Sequence, residues 1–319
     1  FVVAVFGFIL PLVFGFTLGY WVFQLSVLVS LFIGGALTAT SIGITVRVLS
    51  DLNRQQAPEG QIVLGAAVLD DVMGVVLLAM LYEFSIGGGI NFVNASKVLM
   101  FIAAFFIFAP VAAKLISLVI RRFEGTSRIP GLLPTTMVSL VFFFAWLAHL
   151  LGAPEILGGF AAGLALSRRF FMPLGIALHT HERFARRIEA QMRPIVQLFT
   201  PIFFVYVGLS LNLREIDWGS SFIWTFSLAL LLVAVAGKIL GALLIRASWQ
   251  VRWVVGLSMV PRGEVGLIFA ELGRVSGIFN NEIYAGMIIV IAITTVVPPF
   301  ILKWFYGRYD RHTETKAQD

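Results

Sequence analysis

The stretch Gly65-Ala66-Ala67-Val68-Leu69-Asp70-Asp71-Val72-Met73-Gly74 sits in the middle of an apolar run from Gln61 to Leu81. Such a run is long enough to cross a hydrocarbon core of roughly 30 Å. It places two adjacent carboxylates inside the membrane, where each ionisable group costs about 2.5 to 3.5 kcal/mol on insertion scales. A neighbouring pair at that depth needs a cavity, a counter-charge, protons or a bound cation. Ala66, Ala67 and Gly74 flank the acids by about a turn, and small residues allow another backbone or a water-filled cavity to come close.

The composition points the same way. Of 319 residues, 59% are hydrophobic and 13% charged, and the mean hydropathy is +0.94. No soluble fold needs that balance. The apolar stretches run near 20 residues without the alternation of barrel strands, so the expectation is an all-α polytopic membrane protein. With no cysteine there is neither a disulfide framework nor a thiolate metal site.

Ten spans are predicted, at about 1–23, 25–49, 60–83, 95–120, 132–151, 154–170, 194–212, 221–246, 251–273 and 282–305. The chain opens at Phe1, apolar from its first residue and with no signal-peptide pattern. That predicts further helices upstream.

The net charge of +6 lies in the loops, so it reads as a topology signal and not as a nucleic-acid surface. Basic residues crowd alternate connections: Arg47 and Arg54; Arg121, Arg122 and Arg128; the run from Arg168 to Arg193; Arg246 and Arg252; and Lys303, Arg308, Arg311 and Lys316. The intervening loops carry Lys97, Arg214 or Arg274 alone, or nothing. By the positive-inside rule the rich loops and the C-terminus face the cytoplasm. The segment Leu178 to Met192, with His179 and His181, reads as a surface helix, more a solvated linker than a regulatory site. Residues 306–319 form a short cytoplasmic tail.

Two spans are poor continuous helices. One carries Gly34-Gly35-Ala36-Leu37-Thr38-Ala39-Thr40-Ser41 at its centre, the other Met259-Val260-Pro261-Arg262-Gly263-Glu264-Val265-Gly266. Irregular backbone at membrane depth is tolerated only when buried or lining a cavity, and paired interruptions in two halves point to a transporter's binding site. The first and last triplets of spans each break in their middle member and start seven spans apart, an odd offset that inverts one relative to the other. The expectation is an inverted-topology repeat with two discontinuous, crossing helices beside the Asp70/Asp71 helix.

Lys238, mid-span, needs an anion, and Asp70 or Asp71 is the natural partner. Arg262 and Glu264 stand two apart in the second break, where they can satisfy each other and the half-helix ends. Glu155, Lys97 and Lys114 lie near span ends, and His149 reads as a packing residue. Two carboxylates, the hydroxyls of Thr40 and Ser41, and freed carbonyls suit a hard cation. Carboxylates also bind protons. Cation and proton would then compete for one site, and competition at a site that can face either side is antiport.

The run Leu37-Thr38-Ala39-Thr40-Ser41-Ile42-Gly43-Ile44-Thr45, the Asp70/Asp71 run, Lys238, and Pro261-Arg262-Gly263-Glu264 together resemble the NapA-like branch of the monovalent cation:proton antiporters. The similarity covers essentially the whole chain. It implies a mobile core built from two three-helix units with broken middle helices, moving against a panel that mediates a homodimer. On that analogy the transmembrane domain spans 1–305, with the core at about 1–83 and 221–305, a linking helix at 95–120 and panel helices at 132–212. It further implies that Asp71 is the principal carboxylate for Na⁺ and H⁺, that Asp70 pairs with Lys238, that Thr40 and Ser41 lie beside the ion, and that Arg262 and Glu264 form a structural charged pair. Paired acids plus lysine mark electrogenic members, which exchange two protons for one Na⁺ (or Li⁺) in a bacterial inner membrane or its equivalent. A K⁺/H⁺ antiporter is the alternative within this class, and a cation channel is the alternative outside it. A membrane enzyme would need a nucleophile and base or a metal triad, which the sequence does not supply. No cofactor is implied beyond the transported ions.

Overall fold

The computed structural model describes residues 1–86, 132–150, 182–210 and 216–316, with isolated positions among the rest. The described chain is helical throughout: α1 (Val2–Thr17, prolonged by a π-turn at Leu18–Val22), α2 (Val27–Thr38), α3 (Ile42–Asp51), α4 (Pro58–Ile86), α5 (Leu132–Leu150), α6 (Glu182–Ser210), α7 (Ser221–Leu243), α8 (Trp249–Ser258), α9 (Glu264–Val275) and α10 (Asn281–Lys316). Serines start three of them: Ser26, Ser220 and Ser248 each accept from a backbone N–H of the first turn.

Among the described residues, six stretches are long and apolar enough to span a bilayer: Val2–Val22, Val27–Asp51, Pro58–Ser85, Ala190–Leu209, Ser221–Leu243 and Asn281–Gly307. The protein is thus a multi-pass, all-α membrane protein. The expected span at 132–151 is the 19-residue α5. The one at 251–273 is resolved into α8 and α9. The spans expected at 95–120 and 154–170 lie outside the described residues, apart from isolated positions, as do Lys97 and Lys114.

Two of the expected boundaries differ. The basic segment ending at Met192 is no separate surface helix; from Glu182 it runs unbroken into the apolar part of α6. A change of polarity does not end a helix, and this one is rich in Glu, Ala, Arg and Gln, all good helix formers. Likewise α10 continues to Lys316. Tyr306, placed in the tail by its sequence position, is buried and donates to Glu59 Oε1 at 2.9 Å.

The chain divides into two compact units, Phe1–Leu81 with Val207–Asp319, and Tyr82–Tyr206. In the first, α1 packs on α2 and α7, α7 on α8 and α10, and α9 on α2 and α10. Small residues make these approaches close, because helices in lipid associate through van der Waals packing and gain little from hydrophobic exclusion. A Cβ on Gly34 would stand 2.6 Å from the Leu12 carbonyl oxygen, and one on Gly241 would stand 2.7 Å from the Gly7 nitrogen. One face of α4, formed by Val63, Ala66 and Ala67, is buried against Val48 and Leu49 of α3, Val254 and Val255 of α8, and Leu302 and Tyr306 of α10. Asp70 continues that face one turn on. Gly74 has no described atom within 4 Å of a Cβ position, so Ala66 and Ala67 carry the close packing on α4. The second unit holds α5, whose Met137, Leu140, Phe144 and Ala148 are buried.

Candidate functional site

The site is built on two interruptions. After Thr38 the chain leaves α2 with Ala39 and Ser41 extended, and resumes as α3 at Ile42. After Ser258 it leaves α8, and Pro261 ensures that it does so: proline lacks an N–H and disfavours helical backbone at Val260. It resumes as α9 at Glu264.

Each interruption uncovers backbone polar groups that lipid cannot satisfy, and the two satisfy each other. Ser41 N donates to Pro261 O at 2.7 Å. Thr40 Oγ1 donates to Met259 O at 3.2 Å, and Thr45 Oγ1 to Ser258 O at 2.7 Å. From the other side, Arg262 Nη1 donates to Ala39 O at 3.0 Å and Ala36 O at 3.4 Å, capping the C-terminal end of α2, while Nη2 reaches Ala234 O of α7 at 3.4 Å. Thr295 Oγ1 of α10 donates to the Arg262 carbonyl oxygen. The breaks therefore clasp one another, with α7 and α10 as buttresses.

Lys238 projects from α7 into this region. Its Nζ donates to Asp70 Oδ2 at 2.9 Å, and both side chains are fully buried. The pairing falls on Asp70, the member of the doublet that shares the buried face of α4, and uses a single oxygen; Asp70 Oδ1 has no hydrogen-bond partner. Asp71, one residue further round, is half-buried and stands in the field of Asp70 and Glu264, which repel a negative charge, and of Lys238, which attracts it. Among the described residues Arg262 is the largest fully buried side chain, and Asp70 is the carboxylate whose field it feels.

Two expected contacts differ in the structure. Arg262 and Glu264 do not form an ion pair. The guanidinium turns to the carbonyls of α2 and α7, which an isolated ion pair would leave unsatisfied, while Glu264 is exposed and accepts from Ser41 Oγ at 3.3 Å. Residues two apart across a helix start diverge, so of the two expected roles Arg262 keeps only that of satisfying a half-helix end. His149 is corrected too. Its side chain is exposed, and Nδ1 lies 2.8 Å from Glu155 Oε1, an exposed pair in place of a packing contact. Thr45, Thr295 and the carboxylate of Glu271 on α9 were not singled out from the sequence; Glu271 was detectable by counting two turns on from Glu264.

Among the described residues no three or more His, Cys, Asp or Glu gather closely enough to hold a metal ion. The oxygen donors at the clasp are instead a carboxylate pair, two hydroxyls and backbone carbonyls.

The family model described as the transmembrane sodium/hydrogen exchanger matches residues 1–306. The chain belongs to the sodium/hydrogen exchanger family. It is 33% identical to the high-affinity Na⁺/H⁺ antiporter NhaS3 of Synechocystis, over 96% of this chain and 65% of that relative. It is 32% identical to the Na⁺/H⁺-K⁺ antiporter GerN of Bacillus cereus, over 97% of this chain and 76% of GerN. Its fold is similar to that of the sodium/proton antiporter MjNhaP1 of Methanocaldococcus jannaschii, with a TM-score of 0.66 at 16% identity, covering 95% of this chain and 75% of that one. These exchangers are secondary transporters, so the chain falls outside the enzymes.

Proposed function

We propose that the chain is an electrogenic Na⁺(Li⁺)/H⁺ antiporter in which Asp71 holds cation and proton in alternation. The observation that carries this reading is the buried Lys238–Asp70 pair adjoining a half-buried Asp71 at the clasp of two broken helices. A lone intramembrane charge is expensive; a resident counter-charge beside a second, accessible carboxylate is an arrangement that can trade occupants.

Charge counting then gives electrogenicity. With Asp71 protonated and Lys238 charged against Asp70, the site is neutral. With Na⁺ between two ionised carboxylates and the lysine pair opened and deprotonated, the site carries one negative charge. Two protons have left for one cation. Each net charge moved is worth about 2.3 kcal/mol per 100 mV, so the membrane potential can drive extrusion.

The ligands follow the same logic. Thr40 Oγ1 and Ser41 Oγ spend their hydrogens on Met259 O and Glu264 Oε2, which leaves oxygen lone pairs for a hard cation. Asp70 Oδ1 and Asp71 supply the negative charge.

Alternating access follows from an inverted repeat in which α1–α4 and α7–α10 are the two three-span units, each with a broken middle span. The core at about 1–83 and 221–305 moves against panel helices at 132–212, and the panel pairs two copies as a homodimer. Support for this division comes from the compact unit of Phe1–Leu81 and Val207–Asp319. The loop charges support a cytoplasmic C-terminus, placing Lys303 inside and Asn281 outside. The partners are monovalent cations, protons and lipid, with no nucleic acid.

GerN, whose name carries K⁺ beside Na⁺, favours K⁺/H⁺ exchange as the second reading, since carboxylates and hydroxyls do not fix ion size. Both readings are tested in vesicles loaded with a pH-sensitive dye, by adding Na⁺, Li⁺ or K⁺ in turn. Dequenching with Na⁺ and Li⁺, abolished in Asp71→Asn, supports the first; dequenching with K⁺ alone replaces it by the second. Cation conduction without proton countermovement would make the protein a channel.

A further inference from the structure

A second carboxylate with a resident basic partner lies on α9, away from the clasp. Glu271 is seven residues beyond Glu264, two turns along the same face and about 10 Å further from the break by helix rise. That face is the less buried side of α9: Glu264 is exposed, Ile268 and Glu271 half-buried, and Val275 exposed, while Leu267 at its edge and Phe269 and Ala270 further round are buried. Glu271 lies four residues before the end of α9 and two before the end of the expected span, close to the membrane interface.

Its partners hold it from two sides. Arg274 Nε donates to Glu271 Oε2 at 2.9 Å and Nη2 to Oε1 at 2.5 Å. Tyr284 of α10, itself buried, donates its hydroxyl to the same Oε2 at 2.9 Å and is within 3.5 Å of Val207 O. The Arg274 guanidinium also lies over the Tyr284 ring, 5.6 Å from its centroid. Tyr284 thus fixes the carboxylate from the protein side. Arg274, in the last turn of α9 and with 30% of its side chain exposed, can swing to the interface.

We propose that Glu271 is an antechamber site for the transported monovalent cation, on the membrane face opposite Lys303, with Arg274 as the counter-ion that an arriving cation displaces and Tyr284 as the positioning residue. The cation passes from Glu271 along the half-exposed face of α9 to Glu264, Ser41 and Asp71. This rests on the antiport reading and adds a residue to its path.

The test is sided exchange by the full chain in vesicles of uniform orientation, with Na⁺ added from either face. For Glu271→Gln, the apparent KM for Na⁺ should rise about five- to ten-fold from the face opposite the C-terminus, the loss of one part-buried charge interaction, and stay unchanged from the other face. Arg274→Gln removes the competitor for Glu271 and should lower the same KM. A clamp that merely braces the α9–α10 hairpin would impair both variants in the same direction and from both faces. That result, or an unmoved KM in variants that melt as the wild type does, overturns the proposal while leaving antiport standing. A wild type that exchanges no cation for protons removes the antiport reading, and the antechamber with it.

Discussion

Lys238 and Asp70, 168 residues apart in the chain, meet through a 2.9 Å hydrogen bond at which neither side chain touches solvent. Removing either partner strands the other as an uncompensated buried charge, which costs about 3–5 kcal/mol. Lys238→Met should therefore lower the melting temperature sharply, whereas Asp70→Asn with Lys238→Met should recover much of the loss. Additive losses in a double-mutant cycle would show that the two do not act as a pair. Lys238→Gln should also weaken the stimulation of exchange by an imposed potential.

Arg262 is predicted to be structural and irreplaceable by lysine. Its fork satisfies Ala36 O, Ala39 O and Ala234 O from two nitrogens, a geometry that an ammonium cannot reproduce. Each buried carbonyl left unpaired costs about 1–3 kcal/mol. Arg262→Ala should fail to accumulate as folded protein, and Arg262→Lys should melt well below the wild type. Normal melting of the lysine variant would mean that the α2 terminus is satisfied in some other way.

The hydroxyls separate into two classes. Ser41→Ala and Thr40→Ala each remove a proposed cation ligand, so apparent KM should rise several-fold, read by titrating Na⁺ at fixed pH. Thr45→Val removes only the bond to Ser258 O and should cost about 1–2 kcal/mol in stability with KM unmoved. If Thr45→Val shifts KM as far as Ser41→Ala does, the ligand assignment is wrong.

Close helix contacts give a steric prediction. A methyl on Gly34 meets the Leu12 carbonyl oxygen, and one on Gly241 meets the Gly7 backbone. Neither neighbour is a flexible side-chain end, so Gly34→Ala and Gly241→Ala should each cost about 1–3 kcal/mol by overpacking. Gly241→Ala should in addition impair exchange, because Lys238 lies one turn earlier on α7. Wild-type melting in either variant would show that α1 can shift freely.

Much of this was readable in advance because lipid imposes severe rules. A charge in an apolar run needs a partner, and a glycine- or proline-rich break at mid-depth needs something to cover it. Asp70, Asp71, Lys238, Thr40, Ser41 and the Pro261 break stand out on those grounds alone. Hidden from such reasoning were the directions of side chains that leave irregular backbone. Arg262 and Glu264 look like a pair by spacing, yet one caps α2 and the other faces Ser41, because backbone direction changes between them as α9 begins. Glu271 was missed for a different reason: it falls within the expected span 251–273 near its end, and Arg274 was read alone, as a loop charge.

By itself, then, the sequence determined that this chain crosses a membrane many times as helix, that two of its spans break, and that buried acids and a lysine must find company. Apolar run length, backbone hydrogen bonding in lipid and the cost of a lone charge leave no other choice. Which oxygen receives the lysine, which carbonyls receive the arginine and which carboxylate is only half-buried were decided only in the tertiary structure. Those partners come from helices far apart in the chain, and no local periodicity encodes the angle at which one broken helix meets another.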